Sequence, residues 1–303
     1  MKKILIIGGN GFIGRNLARN FLSHNDEVYS FDIQKPEELI EGIHYLTGDF
    51  FDDTTLEEVI DGMDVIIHAL STINPGNSNV RYMQGYSRDF VQTVRLIELC
   101  IEKEIKMVFL SSGGTVYGIH DKQPIEENDF TAPINHYGTV KLCIENVIRT
   151  FNTQQHTKML IARISNPFGP GQDFRKGVGF VDAVLKKSID GETIEIWGDG
   201  SVVRDYIYID DVCEMIYTLI NYSGPEDVFN ISSNEGVSLN QILEYVHEIG
   251  LNPNVVYKKS RAVDVPQVVL DNERIMSVHP IKVLSFKEGL QKYCDYLLKN
   301  YQK

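Results

Sequence analysis

Tyr137 and Lys141 bracket the run Tyr-Gly-Thr-Val-Lys, a spacing that puts a phenol and an ammonium on one face of a helix. Of the 15 tyrosines in the chain, only this one has a lysine four residues later. A phenol titrates near pH ~10, so work as a base near neutrality requires lowering by about three pH units, roughly 4 kcal/mol. An ammonium about 4 Å away, at an effective dielectric of about 20, supplies energy of that order. The chemistry on offer is proton transfer to and from a hydroxyl. With this lysine content about one such pair arises by chance. Its position in the fold must therefore decide its meaning.

The element that could give it a role lies at the start of the chain. Residues 5 to 14 read Leu-Ile-Ile-Gly-Gly-Asn-Gly-Phe-Ile-Gly, an apolar run opening into glycines. Gly8, Gly11 and Gly14 lie three apart, and Gly9-x-Gly11-x-x-Gly14 satisfies the dinucleotide fingerprint as well. The pattern predicts a buried strand over Lys3 to Ile7, a tight turn, and a helix from about Phe12 with Leu17, Phe21 and Leu22 as its apolar stripe. Backbone N–H groups at such a helix start hold a pyrophosphate, and a side chain there would block its approach. Val28 to Phe31 then reads as a second strand ending on Asp32, the distance at which an acid grips an adenosine ribose. A carboxylate there favours NAD. The 2′-phosphate of NADP would set like charges about 4 Å apart, a repulsion of roughly 4 kcal/mol each at an effective dielectric near 20.

Composition narrows the partners. At 303 residues, with 43% apolar and 23% charged residues, the chain is long enough for a large α/β core. A formal charge of −13 argues against nucleic acid or an anionic membrane surface as the main partner. Cys100, Cys143, Cys213 and Cys294 are far apart with no histidine at ligand spacing, so they are expected as buried reduced thiols, with neither a disulfide frame nor a metal site. The apolar stretch after Met-Lys-Lys is too short for a signal peptide and no run reaches membrane-spanning length. A cytoplasmic location is expected.

Further strands are expected at His44–Gly48, Asp64–Ala69, Lys106–Ser112 and Met159–Ser165. Helical patterns lie between them, one carrying Phe90, Val94, Leu96, Ile97 and Leu99, another carrying Leu142, Ile144, Val147, Ile148 and Phe151. Continuous apolar strands alternating with helices mean a doubly wound parallel sheet covered on both faces. Past Asn166 glycines and prolines cluster and strands shorten, with a helix at Asp210–Tyr222 and a strand at Val228–Ser232. This places a dinucleotide-binding domain over 1–165, rejoined by 207–232, and a smaller interwoven lobe over 166–206 and 233–303. Tyr137 then heads a helix that follows the strand Lys106–Ser112, whose C-terminal end opens onto the cofactor crevice.

These residues carry a resemblance. Gly8-x-x-Gly11-x-x-Gly14, Asp32, Gly48-Asp49-Phe50, Ser111-Ser-Gly-Gly-Thr-Val-Tyr-Gly118 and Tyr137-x-x-x-Lys141 resemble the extended short-chain dehydrogenase/reductase family. Within it the chain is most similar to the nucleotide-sugar epimerase/dehydratase branch, UDP-glucose 4-epimerases included. Arg163-Ile-Ser-Asn166-Pro, Gly198 to Asp211 with Arg204, and Arg261-Ala-Val-Asp264-Val-Pro resemble its substrate-side motifs. The resemblance implies a Rossmann fold, NAD as cofactor and a nucleotide-diphosphate sugar as substrate. It implies that Gly8, Gly11, Phe12, Ile13, Gly14, Asp32, Asp49, Phe50, Ala69 and Ser111 hold the cofactor, Asp32 at the adenosine ribose and Asp49 with Phe50 at the adenine. It makes Tyr137 the acid/base and Lys141 the residue that lowers its pKa while gripping the nicotinamide ribose. Asn166, Arg204, Tyr206, Arg261 and Asp264 would bind the substrate, the arginines through forked donors suited to phosphate oxygens. A homodimer through the helices at Asp89–Ile101 and Tyr137–Phe151 is also implied.

Two departures shape the reaction. The family's catalytic serine or threonine falls on Gly113, which has no hydroxyl, and a usual asparagine is Asp89. If side chains alternate along an extended strand end, Thr115 shares the side of Gly113. Thr115 is therefore the favoured substitute, with Ser112 next and an ordered water third. Relatives that eliminate water or decarboxylate carry an acid just before Val-Tyr-Gly, where this chain has Gly114 and Thr115. That leaves a 4-epimerase, with a 4-keto sugar-nucleotide reductase or a non-catalytic NAD- or sugar-nucleotide-binding protein as alternatives.

Overall fold

The computed structural model describes residues 1–259 and 265–300. Seven strands form one parallel sheet: β1 (Lys3–Ile7), β2 (Glu27–Asp32), β3 (Ile43–Thr47), β4 (Val65–His68), β5 (Lys106–Ser112), β6 (Leu160–Ile164) and β10 (Val228–Ile231). Their order across the sheet is β10-β6-β5-β4-β1-β2-β3. β1 and β5 match the expected spans, and the other expected strands differ by a single residue at one or both ends.

Alternation along each strand explains why both faces are covered. Ile4 and Ile6 enter one core with Leu17, Phe21 and Phe229, whereas Leu5 and Ile7 enter the other with Leu96, Ile97, Ile144 and Ile148. All four β1 side chains are fully buried, and each contributes roughly 1.5–3 kcal/mol of apolar transfer. A strand apolar on both sides cannot sit at a wetted surface. The helix Phe12–Ser23 covers the first face beside the helix Ile209–Asn221, with Asn20 Nδ2 donating to Glu214 (2.6 Å). The helices Val91–Glu102 and His136–Gln155 cover the second.

The strand order reverses between β1 and β4, so the chain leaves these neighbours toward opposite faces and a crevice opens at their C-terminal ends. Beside it stand β7 (Asn166–Phe168), β9 (Val203–Tyr208), β11 (Gly236–Ser238) and β13 (Gln267–Val268) as a second sheet, and β8 (Thr193–Trp197) paired with β12 (Asn254–Lys258). Asp205, fully buried in β9, ties this layer to the first. It accepts from Ser165 Oγ (2.9 Å), Ser233 N (3.0 Å), Asn234 N (3.1 Å) and Leu270 N (3.3 Å). All four cysteines are free thiols. Among the described residues no helix is long and apolar enough to cross a membrane.

Candidate active site

The glycine turn follows β1 as the spacing requires. Gly8 has φ +82°, a conformation L side chains rarely adopt, and its N–H donates to the Phe31 carbonyl (2.9 Å). A Cβ on Gly14 would lie 2.4 Å from the Gly8 carbonyl oxygen and 2.7 Å from Gly9 Cα, so this position accepts only glycine without a backbone shift. The helix that begins at Phe12 has Gly11 as its N-cap, no side-chain cap and no acid in its first turn. Its first N–H groups are thus available to an anion. Asp32 ends β2 beside this turn, its carboxylate accepting from Asn10 N (3.1 Å) and Ile33 N (2.8 Å). Glycine-rich turn, uncapped helix start and adjacent acid together fit a dinucleotide.

A cavity of about 920 Å³ lies along the crevice, at the upper end of the range for ligand-binding clefts. Its lining includes Phe12, Ile13, Ala69, Ser111, Ser112, Thr115, Tyr137 and Lys141, together with Asn166, Arg204 and Tyr206. Asp49 caps its own turn by accepting from Phe51 N (3.0 Å), while the Phe50 ring is buried in the core against Phe51 and His68. Arg261 and Asp264 lie outside the described residues.

Tyr137 is held in the first turn of its helix. Asn135 caps that helix by accepting from Gly138 N (2.8 Å). A Cβ on Gly138 would stand 2.6 Å from the Thr115 carbonyl, so glycine there lets the Tyr137 turn close on residues 112–115. One turn on, Lys141 is buried and donates through Nζ to the Leu110 carbonyl (2.9 Å), with Nζ 4.6 Å from the Phe109 ring centre and 5.6 Å from that of Tyr137. Burial pushes Lys141 down to about 8, against the opposing pull of Asp89 and Glu145. Burial also pushes the Tyr137 phenol up to about 12, and Asp89 adds to the rise. The expected lowering of the phenol by Lys141 is thus not found in the polypeptide alone. The ammonium is engaged by the strand, and loss of water outweighs its field.

The 112–116 segment corrects the alternation argument. β5 stops at Ser112 and residues Gly113–Val116 turn helically, so strand alternation does not extend to Thr115. A Cβ on Gly113 would strike Leu270 Cδ1 at 2.3 Å and the Arg163 carbonyl at 3.1 Å, and Gly113 does not line the cavity. Ser112 and Thr115 both reach it, and Thr115 Oγ1 bonds the Ser112 carbonyl (3.3 Å). Gly114 lines the cavity too. A Cβ on it would meet Asn166 Oδ1 at 3.7 Å, so no acid projects from the place where one would drive elimination.

Residues 4–232 match the model of the NAD dependent epimerase/dehydratase family. The chain belongs to that family. Among relatives of this epimerase/dehydratase chain, the dTDP-4-dehydro-6-deoxyglucose reductase of Escherichia coli is 31% identical, with 90% of each chain covered. The UDP-glucose 4-epimerase of Thermotoga maritima, solved with UDP-glucose, is 28% identical with TM-score 0.92, covering 98% of this chain and 99% of that one. The UDP-glucose 4-epimerase of Thermus thermophilus, solved with NAD, shares the fold with TM-score 0.90 at 24% identity, covering 98% and 99%. The Rossmann sheet and NAD as the family's cofactor agree with the expectations from sequence.

Sequence reasoning missed several cavity residues. Gly76, Gln172 and Gly179 lie in irregular segments and Asn79 in the short helix Ser78–Gln84, so nothing in their neighbourhood pointed to the site. The Glu145–Arg163 pair was detectable in principle, because Glu145 continues the i, i+4 row of Tyr137 and Lys141. Arg163 contacts Glu145 at 2.6 Å and Ser111 Oγ donates to it, so the Tyr137 helix is clamped to β5 and β6.

Proposed function

We propose that the chain is an NAD-dependent nucleotide-sugar 4-epimerase. The observation that carries this reading is that Tyr137, Lys141, Ser112 and Thr115 line one cavity, with no carboxylate at 113–115. Tyr137 takes the proton of the sugar 4-hydroxyl, and a hydroxyl from Thr115 or Ser112 orients that oxygen. Lys141 is the charge one turn behind the phenol. A dinucleotide bound by the glycine turn and Asp32 would supply a reversible acceptor for the C4 hydride and, when oxidised, a positive charge in the cavity that Tyr137 lines. Arg204 engages the substrate diphosphate and Asn166 the phosphate or sugar, both from the lining of the same cavity as Tyr137. With Gly114 in place of an acid, that position offers no group to drive loss of water from a 4-keto sugar. A homodimer is proposed through the helices at Asp89–Ile101 and Tyr137–Phe151, the first of which exposes Val91.

The 31% identity to a 4-keto sugar-nucleotide reductase supports a second reading, in which Tyr137 would protonate the C4 oxygen while a bound reduced cofactor would supply the hydride and exchange each cycle. Asp32 at the 2′ position speaks against NADPH as the donor. The test is Tyr137→Phe assayed by NMR on mixtures of UDP-, dTDP- and GDP-hexoses without reductant. The wild type interconverts C4 epimers, and the variant retains NAD but turns over roughly 10²-fold or more slowly. Equal turnover by the two proteins would overturn the mechanism.

A further inference from the structure

Asp89 lies where the helix following Ser78–Gln84 widens into a π-helical segment, Gly85–Phe90, before Val91–Glu102 resumes. Such widened turns re-aim a side chain relative to a regular helix and recur at functional sites. Here Ser87 and Arg88 face solvent while Asp89 is 3% exposed. The Arg88 guanidinium lies over the Phe51 ring (4.0 Å). Three donors from the turn after β4 converge on the two Asp89 oxygens: Ser71 Oγ (2.9 Å), Thr72 N (2.8 Å) and Thr72 Oγ1 (2.5 Å). That turn continues directly from Ala69 on the cavity wall.

The same segment is fastened to the start of the Tyr137 helix. Tyr86 OH pairs with His136 Nδ1 (3.0 Å), and a Cβ on Gly85 would lie 3.1 Å from Val140 Cγ2 and 2.4 Å from Ile73 Cδ1. Asp89 makes no ion pair among the described residues. Its charge is met by hydroxyl and amide dipoles alone, an arrangement that leaves its field acting on whatever lies nearby.

We propose that Asp89 is a positioning residue of the site: its carboxylate braces the turn after β4 and holds a buried negative charge behind Tyr137 and Lys141. The proposal rests on the reading of those two residues as the reacting pair. A fixed negative charge favours the protonated form of both the phenol and the ammonium. Asp89 does act in that sense on each of them. The other ionisable groups around Lys141 are Tyr137 and Glu145 on its own helix and His68 on β4. Glu145 also favours the ammonium, and it is itself held by Arg163. His68 is pushed down to about 3, by burial first and by Lys141 second, and so adds no competing positive charge. Asp89 is therefore the one carboxylate among these that acts on both Tyr137 and Lys141.

The function this gives the residue is a compromise. The charge keeps Lys141 an ammonium despite its burial, and it opposes formation of the phenolate until a positive ring is bound beside it. Proton abstraction is thereby tied to the loaded site.

The decisive variant is Asp89→Asn, which keeps shape and two of the polar positions while deleting the charge. In the NAD-loaded protein, the midpoint of Lys141 is read by NMR of isotopically labelled lysine, with Lys141→Arg assigning the signal. The pH profile of kcat/KM is measured beside it. Loss of a negative charge lowers both proton affinities, so the Lys141 midpoint falls and both limbs move to lower pH, each by about half a unit or more. Ser71→Ala, which loosens the brace and keeps the charge, leaves the midpoint and both limbs in place. Asp89→Ser provides a second charge-free variant, so misfolding of one does not decide the matter. A slower Asp89→Asn enzyme whose limbs and Lys141 midpoint match wild type overturns the proposal and leaves Asp89 only as a brace. If the wild type turns over no sugar nucleotide, the epimerase reading fails, and the Lys141 midpoint still decides for or against Asp89.

Discussion

Lys141 should weaken the fold it serves, and Lys141→Met should make the protein more stable. Burial holds Lys141 at about 8 against an ordinary 10.5. The difference of about 2.5 units, at about 1.4 kcal/mol per unit, is a cost on the order of 3 kcal/mol for keeping the ammonium inside. Methionine fills a similar volume without charge, and loses the bond to the Leu110 carbonyl, about 1 kcal/mol. A net gain of about 2 kcal/mol near neutral pH follows. The sign has a pH signature. Below about 8 both folded and unfolded lysine are protonated and the whole cost is present. Between about 8 and 10.5 the unfolded chain holds the proton that the folded chain has released, so wild-type stability rises with pH relative to the variant. Above that window the advantage of methionine is gone. Urea unfolding of the two proteins, at several NAD concentrations extrapolated to none, removes the contribution of ligand binding. A variant less stable than wild type at neutral pH, or a gap that does not narrow with rising pH, would refute this account of the lysine.

The cofactor side is tested by Asp32→Ala, which should weaken NAD binding and narrow discrimination against NADP in a titration, since the carboxylate beside the glycine turn is removed. Thr115→Val keeps shape and deletes the hydroxyl, and should lower kcat ten-fold or more, about 1.4 kcal/mol in the barrier, with Ser112→Ala doing less. A crippled Ser112→Ala with an unaffected Thr115→Val would move the role to Ser112. Gly113→Ser should not rescue either variant and should cost stability in a thermal melt, because its Cβ strikes Leu270 and the Arg163 carbonyl. Arg204→Ala should raise KM by a factor corresponding to roughly 1.5–3 kcal/mol, the range for a charge-assisted contact, and steady-state kinetics on the active sugar nucleotide reads it.

The parallel sheet was legible because its signal is local and strong. A run such as Ile4 to Ile7, apolar on both faces, has nowhere to go but a doubly covered strand. The glycine turn was legible for the complementary reason, since Gly8 and Gly14 are required by backbone geometry and close contact. The 112–116 segment was harder. Whether a strand end continues or coils depends on what packs over it, here Gly138 and Leu270 from distant parts of the chain. The protonation of the Tyr137–Lys141 pair was not legible at all. Spacing places the two groups on one face, but burial and the Asp89 carboxylate, set by a π-helical turn with no sequence signature, decide how each titrates.

The central claim is that hydride leaves the sugar C4 and returns to the same carbon of the same sugar. Nucleotide hexoses carrying deuterium at C4 test it directly, incubated with the protein without added NAD(P)H and followed by NMR and mass spectrometry. The account predicts that both C4 epimers appear and that each keeps its deuterium at C4, with no label passing to free cofactor. A protein that forms no epimer without reductant, and instead consumes one equivalent of NAD(P)H per 4-keto sugar nucleotide supplied, would contradict it.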